Sequence, residues 1–231
     1  MKPICTAVIV AAGKGKRMGT DISKQFLPLC GKEILAHTVE KFENAENIRD
    51  IILVTGEDSL QDVQDMTQEY CWKKVISVTT GGKERQDSVW NGLQEVPGDT
   101  EIVLIHDGVR PFVTEEILNL SIDTALAMGG CVAGVPAKDT IKVCDAENIA
   151  VATPDRSTLW QIQTPQTFRK DLIVKSYEDA KKSGFVGTDD ASLAEHSGYP
   201  VKVIMGSYRN IKITTKEDLL IGEAFLREEQ A

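Results

Sequence analysis

The segment Ala11–Gly19 reads AAGKGKRMG and follows the apolar run TAVIV. Gly13 and Gly15 could turn backbone N–H groups towards an anion, because glycine permits close approach and unusual dihedrals. From Gly13 to Lys24 there are four cations (Lys14, Lys16, Arg17, Lys24) and one acid, Asp21. Arginine and lysine together suit a transferring phosphoryl group whose charge must be neutralised. Neither common phosphate motif fits. A dinucleotide loop, G-x-G-x-x-G/A, needs a small third position, and here it is Met18; G-x-x-x-x-G-K-[ST] is absent as well. Taken alone, the loop reads equally as a tight turn carrying solvated cations.

Three further clusters carry possible chemistry. GGKERQDSV (81–89) places Gly81 and Gly82 after an apolar run, with Arg85 and Ser88 at a helix start. IHDGVRPF (105–112) places Asp107 where a strand should end. A carboxylate there could hold Mg²⁺, which takes few carboxylates and completes its shell with substrate phosphates. The plainer alternative has Asp107 capping a turn and pairing with Arg110. NIKITT (210–215) puts Lys212 in an extended stretch.

The elements that must position these groups follow from periodicity. Short apolar runs at 6–10, 50–55, 74–79, 101–107 and 131–137 read as strands. Between them, 32–42, 59–70, 85–96 and a segment from Thr114 to about Met128 read as helices, with Thr114 as a plausible N-cap. Such alternation predicts a mostly parallel α/β sheet covered on both faces, with ligands outside the carboxyl ends of the strands. The segment 139–156 breaks the rhythm. TIKVC and IAVAT flank the turn DAEN and predict an inserted hairpin. A helix over FRKDLIVKSYEDAKKSG, a short helix capped by Thr188 or Asp189 and stopped by Gly198, a strand over PVKVIMG and a C-terminal helix complete the reading.

Composition narrows the function class. The 231-residue chain is 42% hydrophobic and 26% charged, with a net charge of −9. A chain that acidic is a poor general nucleic-acid binder, since phosphate-backbone binding needs a broad basic face. No apolar run approaches the roughly 18 residues of a membrane span. No signal peptide is recognisable, so the expectation is a cytoplasmic protein. The five cysteines form no Cys-x-x-Cys pair, and the three histidines are far apart, which favours reduced thiols over disulfides or zinc.

AAGKGKRMG…KQF, GGKERQDSVWNGL, IHDGVRPF, KDTIK, TPQTF, TDDAS and NIKITT occur in this order across nearly the whole chain. Together they resemble the 2-C-methyl-D-erythritol 4-phosphate cytidylyltransferase family. The resemblance implies one Rossmann-like nucleotidyltransferase domain over 1–231, with a protruding β-arm at about 138–158 through which two chains form a homodimer. It implies transfer of CMP from CTP to the sugar-alcohol phosphate with Mg²⁺ and release of pyrophosphate. By the same resemblance Arg17 and Lys24 stabilise the reacting phosphates, and Arg156 and Lys212 complete the catalytic set. Ala11, Ala12, Gly13, Gly15, Gly81, Gly82, Arg85, Ser88 and Asp107 should hold the nucleotide. Arg110, Thr140, Arg156, Thr164, Thr188 and Lys212, beside Asp107, should position the acceptor. Asp107 should also lie on the metal.

Two departures from the family pattern stand out. Ser23 precedes Lys24 where proline is usual, and Gly108-Val109 replaces a common pair of alanines. A sister family that uses ribitol 5-phosphate also tolerates valine there. The Ala11-Ala12-Gly13 loop and Ser88 favour the methylerythritol acceptor. A third possibility is a homologue that binds CTP without turnover, against which Arg17 and Lys24 both argue. The implied attacking group, a phosphate monoester, has its second pKa at about 6 and needs no general base. That agrees with the lack of any Ser-His or His-Asp constellation.

Overall fold

The computed structural model describes residues 2–13 and 23–229. Gly15 and Arg17 lie outside them. The chain runs β1 (Cys5–Ala11), a small ribbon of β2 (Pro28–Leu29) and β3 (Lys32–Glu33), α1 (Ile34–Glu43), β4 (Asp50–Thr55) and α2 (Leu60–Glu69). It continues with β5 (Val75–Thr80), α3 (Arg85–Gln94), β6 (Ile102–Asp107), α4 (Glu115–Met128) and β7 (Gly130–Pro136). After the hairpin β8 (Val143–Cys144) and β9 (Ala150–Ala152) come β10 (Trp160–Arg169), α5 (Lys170–Ser183), α6 (Asp190–His196), β11 (Lys202–Met205) and α7 (Lys216–Glu229).

Seven strands form one sheet in the order β11-β7-β10-β6-β1-β4-β5. All pairings are parallel except those of β10, which runs antiparallel to both β6 and β7. The expected mostly parallel α/β architecture is therefore present. The strand at 160–169 is an addition to the sequence reading. WQIQTPQTFR carries few apolar residues and a central proline, which argues against a central strand. The sheet accommodates Pro165 where the register with β7 shifts between Ile162 and Gln166, so no ladder donor is lost. Thr114 does cap α4, accepting from the Ile117 N–H. For α6 the cap is Asp189, not Thr188, and its carboxylate accepts from the Ser192 N–H at 2.9 Å.

The strands β1, β4, β6 and β7 are buried on both faces, as near-continuous apolar runs require. One face packs Ile9, Ile51, Leu53 and Leu104 against α1, α2 and α4. The other packs Val8, Ile52, Val54 and Ile105 against α3, α5 and α6. A smaller cluster seats α7 through Leu226 on Phe112 and Ile213. The register matters for function. Ala11 lies beside Thr55, Thr55 beside Thr80, and Val10 beside Asp107, so the carboxyl ends of β1, β4, β5 and β6 finish together. The chain turns away from the sheet there at Ala12-Gly13, Gly56, Gly81-Gly82 and Gly108.

Candidate active site at the carboxyl edge of the sheet

These strand ends open into a cavity of about 520 Å³. Ala11, Ala12, Gly13, Lys24, Gly82, Arg85, Ser88, Asp107 and Lys212 line it, with Gln25, Lys83, Glu84 and Val109. Nine of the residues singled out from sequence thus meet at one place. Lys24 stands on a one-turn helix, Lys24–Phe26, tied back by the Phe26 N–H to the Ser23 carbonyl at 2.9 Å. Serine at 23, in place of the usual proline, still supports an ordered turn.

Glycine at 81 and 82 is required by packing. A Cβ on Gly81 would fall 2.5 Å from the Ala12 Cβ and 2.6 Å from Ser88 Oγ. One on Gly82 would collide with the Asp87 Cβ. Ser88 is buried, accepts from the Gly82 N–H at 3.1 Å and donates to the Glu84 carbonyl at 3.0 Å. The hydroxyl therefore shapes the glycine loop over the cavity as well as facing it.

Asp107 is the centre of charge. Lys212 Nζ lies 2.9 Å from Oδ2, Arg110 Nε 3.3 Å from Oδ2 and Arg85 Nε 3.4 Å from Oδ1. Burial alone would raise the Asp107 pKa, but Lys212, then Arg85 and Arg110, outweigh it and hold the carboxyl well below its usual range. Two carboxylates, Asp107 and the Asp190 that also holds Arg85, face three cations, so the cluster keeps one net positive charge, which suits a triphosphate. Lys212 reaches Asp107 because its segment is pinned on both sides. The Ile213 N–H donates to the Val109 carbonyl at 2.9 Å, and Arg110 Nη1 donates to the Asn210 carbonyl at 2.9 Å. The segment joins no sheet, so Lys212 is not the strand-edge lysine its extended pattern allowed.

Behind Asp107 lies a buried polar chain of which the sequence reading named only Thr164, and that as an acceptor contact. Thr164 Oγ1 accepts from the Asp107 N–H at 3.1 Å and lies 2.9 Å from His106 Nδ1. His106 Nε2 lies 3.1 Å from the Arg110 carbonyl, so that nitrogen must carry the proton and Nδ1 must accept from Thr164. Burial pushes the His106 pKa down to about 4, and the ring is neutral. Asn210 closes the chain by donating to the Thr164 carbonyl at 2.9 Å. Thr164 thus touches Asp107 through the backbone and is itself buried. His106 has its polar atoms occupied and is unavailable as a base. A histidine beside an aspartate in IHDG was visible in the sequence, but nothing in its spacing separated a support from a reactant.

The remaining expected residues stand apart. Thr140 and Arg156 belong to the hairpin arm, and both are exposed. Arg156 Nη1 donates to the Lys138 carbonyl at 2.7 Å. Thr188 is exposed on the turn before α6. Among the described residues none of the three contacts Asp107. The arm itself is short and bare. Val143, Ile149 and Val151 are 47%, 57% and 60% exposed.

Comparison with known proteins agrees with this geometry. The family model described as IspD, 2-C-methyl-D-erythritol 4-phosphate cytidylyltransferase, matches residues 5–228. A protein of that name from Geotalea uraniireducens is 51% identical over 96% of this chain and 96% of its own length. Another from Caldanaerobacter subterraneus is 47% identical over 96% of this chain and 99% of its own. The solved 4-diphosphocytidyl-2C-methyl-D-erythritol synthase from Anaerococcus prevotii superposes with a TM-score of 0.86 at 35% identity, covering 98% of this chain and 97% of that one. A cavity where glycine loops, Lys24 and a caged Asp107 converge, carried on a chain alike to these over its whole length, leads to one conclusion: the chain belongs to the 2-C-methyl-D-erythritol 4-phosphate cytidylyltransferase family.

Proposed function

We propose that this nucleotidyltransferase moves CMP from CTP to 2-C-methyl-D-erythritol 4-phosphate, with pyrophosphate leaving. The observation that carries the reading is the convergence of Lys212, Arg85 and Arg110 on Asp107, with Lys24 and the glycine loops lining the same cavity. The reaction brings two anions together, so it needs cations and alignment more than a base. The acceptor phosphate is largely dianionic at neutral pH, since its second pKa is about 6. Its oxygen attacks the α-phosphorus in line, and the bond to the bridging oxygen of pyrophosphate breaks. The glycine loops hold the cytidine, and Lys24 with Arg17 neutralises charge on the transferring and leaving phosphates. Lys212 and Arg110 hold the acceptor phosphate beside Asp107.

A Mg²⁺ ion belongs to the proposal. Among the described residues no cluster of three metal-ligating side chains occurs, so a cage made of protein alone is not the model. Asp107 fits an ion that takes most of its ligands from phosphates and water, because among the described residues Oδ1 carries one long contact, at 3.4 Å, and keeps lone pairs to offer. The ion would supply further neutralisation of the triphosphate. The arm supports a homodimer. Its apolar side chains are exposed, and a two-stranded hairpin is at best marginal alone. Packed on a second copy, it would bring Thr140 and Arg156 over the partner's site and complete the acceptor contacts with Thr188. A cytoplasmic location is consistent with five unpaired cysteines, since oxidising compartments favour disulfides. Among the described residues no helix is long and apolar enough to cross a membrane.

The test is pyrophosphate release with CTP, Mg²⁺ and each acceptor in turn. Turnover with methylerythritol phosphate and little with ribitol 5-phosphate is expected. A higher kcat/KM for ribitol 5-phosphate would transfer the chain to the sister activity. Binding of CTP without any release would leave a nucleotide-binding homologue.

A further inference from the structure

One fully buried carboxylate ties the Thr188 segment, to which it belongs, to the first turn of α3. Asp190 opens α6, yet Asp189 already caps that helix, so capping does not account for a second acid. Asp190 accepts from Arg85 Nη1 at 3.0 Å and Nη2 at 2.8 Å, and from the Tyr177 hydroxyl at 2.6 Å. Arg85 Nε turns the other way, to Asp107. Arg85 therefore spends its donors on two carboxylates, which makes it a bracket more than a nucleotide ligand. Beside it, Gln86 accepts from the Gly187 N–H at 3.1 Å and donates to the Phe185 carbonyl at 3.3 Å. The first turn of α3, directly after the Gly81-Gly82 loop, thus grips residues 185–190, the segment that carries Thr188.

A buried ion pair is weak support for stability, because apolar residues of similar volume often do as well or better. What a bidentate guanidinium–carboxylate pair gives is fixed orientation. We propose that Asp190, acting through Arg85, is a positioning residue. It locks the segment bearing Thr188 in one relation to Asp107 and the 81–88 loop, so that acceptor and nucleotide meet in line. The assignment of acceptor to one segment and nucleotide to the other rests on the function proposed above.

The experiment compares Asp190→Asn, Tyr177→Phe and the paired Arg85→Met/Asp190→Leu, which removes both charges together. CTP affinity is measured alone by calorimetry, acceptor kcat/KM by pyrophosphate release, and folding by thermal melting. Asp190→Asn should lower acceptor kcat/KM about 100-fold, the cost of a small misplacement, while CTP affinity changes less than about twofold. Tyr177→Phe should cost about fivefold, one hydrogen bond. The paired variant should melt near the wild type and still show the acceptor loss. If Asp190→Asn fails to fold, the other two carry the same comparison. Unchanged acceptor kcat/KM in a folded variant, or a parallel fall in CTP affinity, would overturn the proposal. Amide exchange over 185–190, measured without substrate, should quicken in the paired variant while β1 and β6 stay protected. Unchanged exchange there would also overturn it. Faster exchange together with a wild type that ignores methylerythritol phosphate would leave the positioning intact and refute the function.

Discussion

The Asp107 cluster and the hairpin arm carry residues of the same expected site under opposite physical conditions. Asp107 is buried, sits on a central strand and has three cations and a threonine-bound backbone around it. Arg156 is exposed, stands on a one-turn helix and has one carbonyl partner. Around Asp107 the apolar neighbours are covered; around Arg156 they face outwards. The difference teaches how much of the site one chain can build. The carboxyl edge of the sheet is preorganised by the fold of its own chain. The arm has side chains suited to an acceptor phosphate but leaves its own apolar side chains exposed. In the dimer proposed above, a second copy supplies the ordering.

The contrast can be broken from either side. Lys24→Ala removes a cation from the preorganised side, and kcat should fall by about 10²–10³, or about 3–4 kcal/mol of transition-state stabilisation. Steady-state kinetics with circular dichroism checks this; a raised KM with unchanged kcat would make Lys24 a binding residue only. On the arm, Val143→Asp with Val151→Asp should yield monomers by sedimentation and an activity loss of about 100-fold, from lost alignment of the acceptor. CTP binding should persist, because no nucleotide contact is disturbed. Loss of CTP binding would erase the proposed division of labour.

Acid should act on the preorganised side first. The unfolded chain holds His106 near 6.5 and the folded chain near 4. Between these values the unfolded state binds more protons, so stability rises with pH and is lost on acidification. Crossing that window should cost about 3 kcal/mol at about 1.4 kcal/mol per unit. His37, also lowered by burial, adds in the same direction, and Asp107 adds below its ordinary 3.8. Urea melts at several pH values measure the slope, which His106→Gln should reduce but not abolish. The smallest effect is expected from Ser88→Ala. Losing one hydrogen bond to the glycine loop should weaken CTP binding by about 1 kcal/mol, about fivefold, with kcat nearly kept.

The regular part of this molecule was readable from sequence because its signals are local. Near-continuous apolar strands, 3.6-residue helices and the Thr114 cap all declare themselves within a few residues. The glycine loops and Asp107 were readable because each stands at a strand end, and strand ends in a parallel sheet share an edge; Lys24 and Lys212 were legible only through the resemblance that KQF and NIKITT carry. What escaped is non-local. Strand 160–169 hid behind Pro165 and polar alternation, and only its position between β6 and β7 makes it a strand. His106, Asn210 and Asp190 have roles set by partners between 4 and 105 residues away, such as Arg110 and Arg85. Within TDDAS the doubled acid was a usable signal, since a helix needs one cap and the second carboxylate needed another reason.

In the dimer proposed above, one chain builds the nucleotide half and its partner supplies the arm. Complementation separates this arrangement from one in which each chain serves itself. Chains with Lys24→Ala and chains with Arg156→Ala are co-expressed with different tags, and the mixed dimer is purified through both. One site of that dimer collects both defects, and the other has neither. Activity with CTP and methylerythritol phosphate should return to about half that of wild type if the sites act independently. If Arg156 serves its own subunit, each site keeps one defect, and activity would stay at the level of the separate variants.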